Sequence, residues 1–372
     1  MPTLEKALSL LGYDKEKSKS LIQIFHIAGI FDGKIQDEPL SESELEKKLQ
    51  SDLGVTDGSD LAIAQKLNEL GQKKFQEIRG AGERQEMYPL SIATTGFIDY
   101  FKDLKLSETI PPEKDVKLYF IFGASEAGLR NRIGFLRDSI GHDELESKDI
   151  IFLGGDRKLW PKYTGDNEYL LRSTPGEDAT FKLIEELNPD QDIKEIKKEI
   201  NQFFEEKKQD LMDGKINVAR IRVQIVEEVA KGIKWPTESD LERYLAKEIL
   251  AIDDARVIEG EIDPKIGRPT TETNLQAIPK SLPNMIKSQP KSCFVSSQPH
   301  IGRQTSLARS LSGLNNIAGC GKEALSLMDS KNITPMLEAV LGEVNSQCRI
   351  KEKEHSQEVK GPRVGIEPSR TR

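Results

Sequence analysis

Small residues follow two short apolar runs of the sequence, at points where a buried strand would end. Gly123 and Ser125 come just after the run VKLYFIF, and Gly154 and Gly155 come directly after the run DIIFL. Small residues let the backbone approach a ligand closely, and the N-terminus of a following helix offers unpaired N–H groups to an anion. We therefore expect these four residues to line a binding site for a negatively charged group.

Charged and titratable side chains follow the same kind of turn. Arg130 lies a few residues after the first turn and Arg157 lies directly after the second, while His300 and Arg303 follow another apolar run, CFVS. His300 and Arg303 are one helical turn apart, so both would point the same way from a helix. We expect the three arginines to balance the charge of the ligand. His300 is the candidate general acid or base, because imidazole gains and loses protons near neutral pH.

Hydrogen-bonding side chains gather at two further predicted strand ends. Glu259 follows the run ARVI, and Thr270, Thr273 and Asn274 stand at the start of the next predicted helix. A helix N-terminus needs only one such residue as a cap, so capping explains one of the three, and ligand contact is favoured for the set. Ser296 ends the run CFVS, and we include it in the predicted binding site.

The four apolar runs alternate with helical patterns, and this alternation predicts the elements that hold these residues. It is typical of an α/β protein, here a Rossmann-like, mostly parallel sheet with helices on both faces. In such sheets, ligands bind outside the carboxyl ends of the strands. We place this domain at residues 111–345, with a charged helical insertion at about 190–240, and we interpret residues 319–321 as a turn. Residues 1–110 form a predicted α-helical region, and residues 352–372 form a predicted disordered tail.

The composition limits the classes of function. The 372 residues carry a net charge of −8, which disfavours nucleic-acid binding because that binding rests on many Lys and Arg contacts to phosphates. The three cysteines are irregularly spaced and no metal-binding, P-loop or dinucleotide pattern occurs, so we predict no metal site and assign no cofactor. No apolar run is long enough to span a membrane, and the first residues lack the layout of a signal peptide. We therefore expect a cytoplasmic protein, and leave open export by a route that needs no signal peptide.

In their order along the chain, these motifs resemble the SanA/YdcF-like (ElyC-like) family, bacterial proteins with a Rossmann-like domain and a poorly defined activity. The family pattern begins with a small-residue turn before an arginine-bearing helix and a double glycine after the second strand. It continues with a Glu at a helix start, an acidic residue before a Thr- and Asn-bearing helix start, and a His and an Arg with two residues between them. The matching positions are Gly123 and Ser125 with Arg130 or Arg132, Gly154 with Gly155, Glu177, Glu259, Thr270 with Asn274, and His300 with Arg303. From this resemblance we expect Glu177 or Glu259 to orient the ligand or His300.

The chain departs from the family in three respects, and the resemblance covers about half of its length. Many members carry an N-terminal membrane anchor that the first residues of this chain do not show, so an envelope role is not carried over. The charged insertion separates the second and third predicted strands. The helical N-terminal region and the tail lie outside the part that the family shares.

The sequence leaves two functions open. The first is a protein that binds a nucleotide-like, phosphorylated or other anionic metabolite, with or without acting on it as an enzyme. The second is a non-catalytic interaction module, cytoplasmic or secreted, that contacts a partner protein through its N-terminal helices and charged insertion. The hydrophobic fraction of only 36% and the long charged helices fit the second function, whereas the polar residues at successive strand ends fit the first.

Overall fold

The computed structural model describes two compact units of the chain. The described residues are 4–11, 13–27, 60–80, 100, 104, 108–161, 178–213, 215–216, 218–262, 269–323, 337, 340–348 and 350–351. The first unit combines Met1–Ser107 with Leu325–Arg372, and the second is Glu108–Ala324. The second unit is therefore an insertion, in sequence, between the two segments of the first.

The first unit is built from helices wherever its secondary structure is described. They are α1 (Leu4–Leu10), α2 (Lys15–Ile27) and α3 (Asp60–Gly80), together with residues 340–348 near the C-terminus. The buried core of this unit includes apolar residues of all these segments: Ala7, Leu8, Leu21, Ile24, Phe25, Ala64, Leu67, Val340, Leu341 and Val344. This confirms the predicted α-helical N-terminal region for the described residues.

The C-terminal helical residues join this first unit through specific contacts. Asn68 of α3 donates a hydrogen bond from Nδ2 to Asn345 Oδ1 at 3.3 Å, and the buried Cys348 thiol donates to the Ala64 carbonyl at 3.5 Å. The predicted domain end at residue 345 lies inside these helical residues. The predicted tail, residues 352–372, lies outside the described residues.

A parallel sheet forms the centre of the second unit. Among the described residues it has five strands, in the order β3-β2-β1-β4-β5. The strands are β1 (Leu118–Phe122), β2 (Asp149–Gly154), β3 (Arg256–Glu259), β4 (Ser292–Ser297) and β5 (Ile317–Lys322). In the middle of the sheet Phe120 is paired with Ile151 on one side and with Phe294 on the other. The first four strands correspond to the four apolar runs, because aromatic and β-branched side chains fill a sheet that is covered on both faces.

Helices cover both faces of this sheet. The described helices of this unit are α4 (Glu126–Ile140), α5 (His142–Leu145), α6 (Thr180–Leu187), α7 (Ile193–Met212), α8 (Val218–Gln224), α9 (Glu238–Leu250), α10 (Thr271–Ser281), α11 (Pro283–Ser288) and α12 (Ile301–Leu311), and α4, α9, α10 and α12 contact the strands. On one face, Leu129 of α4 and Leu245 of α9 pack on Ile121 and Phe152. On the other face, α10 contacts β2 and β3, and α12 contacts β4 and β5. This arrangement confirms the predicted Rossmann-like α/β fold.

The fifth strand corrects one prediction, because residues 319–321 belong to β5 and are not a turn. Their small size is required by close packing on the face that α12 covers. A side chain at Gly319 would overlap the Thr305 hydroxyl of α12, and a side chain at Gly321 would overlap the Ser296 backbone of β4. Apart from Ile317, the strand therefore lacks the β-branched residues on which strand prediction relies.

The charged segment at about 190–240 folds into α7, α8 and a π-helical turn, Ile225–Val229. Its buried apolar residues form a cluster together with Ile184 of α6: Ile196, Ile200, Phe203, Phe204, Ile221, Ile225, Ala230 and Trp235. The Trp235 indole donates a hydrogen bond from Nε1 to the Leu159 carbonyl at 2.6 Å. This bond attaches the segment to the loop that follows β2.

Candidate functional site

The strand order reverses between β1 and β4, and this places a crevice at their carboxyl ends. From β1 the chain moves outward through β2 to β3, and it then crosses to β4 on the other side of β1. The connections to α4 and α12 leave the two strands in opposite directions, on opposite faces of the sheet. In open parallel sheets, such a switch point is where ligands bind. The residues at this point are Gly123, after β1, and Ser297, at the end of β4.

Arg132 lies buried at this switch point and joins the two strands. It stands in the second turn of α4 and is only 6% exposed. Its Nη1 donates to the carbonyls of Phe122 at 2.7 Å and Gly123 at 2.9 Å, and its Nη2 donates to Ser297 Oγ at 3.2 Å. Its Nε has no acceptor among the described residues. Burial lowers the pKa of Arg132 to about 10, so the guanidinium is still charged at neutral pH.

Glu242 of α9 lies on the other side of Gly123. Its side chain is fully buried, and neither carboxyl oxygen has a hydrogen-bond partner among the described residues. Burial is the main cause that raises its pKa well above the ordinary range, and the negative charges of Glu238 and Glu259 add to this, against the opposing effects of Arg243 and Arg132. The carboxyl is therefore uncharged at pH values where an ordinary glutamate is ionised.

The glycines at the strand ends have specific neighbours. Gly123 is exposed and donates its N–H to the Leu153 carbonyl at 3.0 Å. A Cβ at Gly154 would overlap Glu242 Oε2, whereas a Cβ at Gly155 would lie 3.1 Å from Pro269. Gly154 is thus required by the buried carboxyl, and the space beside it is filled by protein.

Two of the predicted arginines have their charge balanced by carboxylates. Arg130 forms ion pairs with Glu126 at 2.8 Å and with Glu248 at 2.7 Å. The hydrogen bond to Glu248 is the main cause that raises the pKa of Arg130 above its ordinary value. Arg157 forms an ion pair with Glu238. These arginines therefore link elements around the carboxyl edge of the sheet, and Arg130 in particular links α4 to α9.

The threonines and the asparagine at the start of α10 have structural partners. Thr270 and Thr273 form a reciprocal capping box, with Thr273 N–H donating to Thr270 Oγ1 at 3.2 Å. Asn274 donates from Nδ2 to the Leu153 carbonyl at 3.1 Å and accepts from Gly260 N–H at 3.0 Å. Helix capping therefore accounts for both threonines, and Asn274 ties α10 to the end of β2.

The start of α12 brings the predicted His300 and Arg303 to the switch point. His300 immediately precedes the helix and donates its backbone N–H to the Ser297 carbonyl at 2.9 Å, and Arg303 lies in the first turn. Both are partly buried. Ser296 is buried and donates its hydroxyl to Gln304 Oε1, so it holds α12 on β4.

The other predicted residues lie at different positions around the same edge. Ser125 caps α4 by accepting a hydrogen bond from Gly128 N–H at 3.4 Å. Glu259 is exposed and lies 3.8 Å from an Arg243 guanidinium nitrogen. Glu177 lies outside the described residues.

Glu242 and the role of Arg132 were not identified from the sequence. The signal for Glu242 was present, because it falls on the apolar side of α9 next to Leu241 and one turn before Ala246, both buried. An acidic residue within the apolar stripe of an amphipathic helix indicates a buried carboxyl. Which strand ends it would meet depends on how α9 packs, which the local pattern does not contain.

Comparison of the chain with protein-family models, with curated proteins and with solved structures finds no match. The resemblance to the SanA/YdcF-like family therefore stays a prediction that rests on the motifs. In the part of the chain that the structure describes, no helix is long and apolar enough to cross a membrane. Within the same residues, no group of three or more His, Cys, Asp or Glu side chains is placed to hold a metal ion.

Proposed function

We propose that the crevice at the carboxyl ends of β1 and β4 binds an anionic small molecule, such as a phosphorylated or nucleotide-like metabolite, through Arg132. One observation carries the proposal. Arg132 is a buried cation whose hydrogen-bond partners are two carbonyls and a hydroxyl, and among the described residues no carboxylate lies within ion-pair distance of it. A buried charge without an ion-pair partner is costly, and an anionic ligand would supply that partner.

The helices that start at the crevice support the same ligand charge. Both α4 and α12 begin where β1 and β4 end, and helix N-termini carry a partial positive charge and unpaired N–H groups. Arg303 adds a second cation in the first turn of α12. In this proposal His300, at the start of the same helix, is the residue that exchanges a proton with the ligand if a reaction takes place.

We place the anion at Arg132 because the charges of the two other arginines, Arg130 and Arg157, are already balanced by carboxylates. Arg130 is held by Glu126 and Glu248, and Arg157 is held by Glu238. An anion at either of these arginines would have to displace or repel a carboxylate. At Arg132 it would meet only neutral hydrogen-bond partners.

The proposal is tested by ligand-induced stabilisation of the second unit. Both tryptophans, Trp160 and Trp235, lie in this unit, so thermal unfolding followed by tryptophan fluorescence reports on it. We expect at least one compound in a panel of nucleotides and sugar phosphates to raise the melting temperature of the wild type. Arg132→Lys keeps the positive charge but loses the geometry of three hydrogen bonds, and we expect it to weaken binding of that compound about tenfold or more.

Arg130→Lys is the matched control, because it is the same change two residues away in the same helix. We expect it to bind the compound as the wild type does. If no compound stabilises the wild type, the proposed function is wrong. If Arg132→Lys and Arg130→Lys bind equally well, the anion does not bind at Arg132.

A further inference from the structure

Arg132 and Glu242 approach the same exposed residue, Gly123. The Arg132 guanidinium is 2.9 Å from the Gly123 carbonyl oxygen, and Glu242 Oε1 is 3.2 Å from the position that a Cβ on Gly123 would occupy. The side chains come from different helices, α4 and α9, which pack on the same face of the sheet. A small group bound at Gly123 would therefore be within reach of both.

Burial is the main influence that favours the uncharged form of Glu242, and the charged groups around it act in opposite directions. Glu238 and Arg243 face it from its own helix, Glu259 from β3, and Arg132 from α4. The two carboxylates act against ionisation and the two arginines favour it, and burial of the side chain is the largest influence and raises the pKa. An uncharged carboxyl has one O–H donor. Neither this group nor Arg132 Nε has a partner among the described residues.

We propose that Glu242 belongs to the anion site as a hydrogen-bond donor, and that the site takes a tetrahedral oxyanion, a phosphoryl or sulfuryl group, whether or not the anion carries a proton. The proposal rests on the proposed function, because it places the anion of Arg132 at Gly123. One oxygen of the anion accepts from Arg132 and another accepts from the Glu242 hydroxyl. No covalent bond changes in this step.

The protonation state of Glu242 determines which anions fit. An ionised carboxylate can only accept hydrogen bonds, so it would bind phosphate through the proton of that anion and would repel sulfate, which has none at neutral pH. An uncharged carboxyl donates, and a bare oxygen of either anion can accept. Sulfate and phosphate, which are alike in shape, therefore distinguish the two states.

The experiment measures binding of inorganic sulfate and inorganic phosphate to the full chain by calorimetry near pH 7, at constant ionic strength. Three proteins are compared: wild type, Glu242→Gln and Glu242→Met. We expect the wild type to bind the two anions with dissociation constants within about tenfold of each other. Glu242→Gln keeps a neutral donor and should bind both anions as the wild type does. Glu242→Met has a similar volume but no donor, and should bind both about tenfold more weakly or worse.

Each other result overturns a defined part of the reasoning. If phosphate binds and sulfate does not, Glu242 is ionised and accepts a hydrogen bond. If Glu242→Met binds both anions as the wild type does, Glu242 has no role in binding, although the anion site at Arg132 stands. If neither anion binds, the oxyanion site is wrong, and the metabolite panel then decides separately whether the crevice binds a ligand of another kind. Unfolding curves of both variants, followed by tryptophan fluorescence, show that the second unit is folded.

Discussion

Replacing Glu242 by Gln should remove a pH dependence of stability that the wild type carries. In the folded protein the carboxyl is fully buried and burial raises its pKa well above the ordinary value, whereas in the unfolded chain it titrates near its ordinary value of about 4.3. Between these two pKa values the folded state holds one proton more than the unfolded state. The free energy of unfolding of the wild type therefore falls as the pH rises through this interval.

The size of the effect follows from the single proton involved. Each pH unit between the two pKa values costs the wild type about 1.4 kcal/mol, or a factor of about ten in the unfolding equilibrium constant. Below the unfolded pKa both states are protonated and the contribution vanishes. Above the folded pKa both states are ionised and the loss is complete. Glu242→Gln has no such proton, so its stability relative to the wild type should increase with this slope as the pH rises from the unfolded pKa towards the raised folded pKa.

Denaturant unfolding at several pH values, followed by the fluorescence of Trp160 and Trp235, measures this difference. Most other titrating groups are common to the two proteins, so their contributions largely cancel when the curves are subtracted. Arg132 titrates well above the range, because burial lowers its pKa only to about 10. A difference between wild type and Glu242→Gln that is constant from about pH 5 to pH 7 would show that Glu242 is ionised or exposed in the folded protein, and the reasoning would be refuted.

Two further predictions concern packing, one at the site and one where the insertion is attached. Gly154→Ala should destabilise the second unit by about 1–3 kcal/mol, because its Cβ would overlap the Glu242 carboxyl, and Glu242→Ala should relieve part of this cost in the double variant. Gly134→Ala is the control, since a Cβ there meets nothing within 4 Å and alanine favours a helix by up to about 1 kcal/mol. If urea denaturation shows equal effects of the two alanine substitutions, the close contact between residue 154 and Glu242 is contradicted. Trp235→Phe should cost about 1–3 kcal/mol in the same assay, because the Leu159 carbonyl loses its donor, and an unchanged midpoint would mean that this bond does not hold the insertion.

The fold was predictable where the sequence pattern is local. VKLYFIF and the other three apolar runs identify their strands because a sheet with helices on both faces selects continuous apolar, β-branched and aromatic residues. β5 follows a different rule. Its small residues are set by the close approach of Thr305 and of the Ser296 backbone, contacts that exist only after the strand has docked beside β4. In the sequence, the consecutive alanine, glycine and cysteine residues of β5 therefore resemble a turn.

For the candidate site, the sequence predicts a location on the sheet more readily than the side chains that gather there. The carboxyl edge of the sheet and the start of α12 were expected to carry the site, and the structure brings His300 and Arg303 to the switch point. The sequence alone cannot show which of Arg130 and Arg132 faces the strand ends, because both lie on α4 two residues apart. Only the packing of the helix shows that Arg130 faces Glu248 across to α9, whereas Arg132 points under the strand ends.

The position of the Glu242 side chain changes the interpretation of Gly154. In a sequence, a glycine after a parallel strand indicates space for a ligand. At Gly154, however, the Glu242 carboxyl of the same protein occupies that space. The glycine is therefore explained without a ligand, and a small residue at this position is no argument for binding.

The packing of Gly154 does not explain why the side chain that fills this space is acidic. A leucine on the same face of the helix could fill it as well. A leucine would complete the apolar layer of Ile121 and Phe152 without the cost of burying a carboxyl. A buried carboxyl and a buried guanidinium, each with an atom that lacks a partner among the described residues, both meet an exposed glycine at the switch point, and that combination favours a binding site over a purely structural edge.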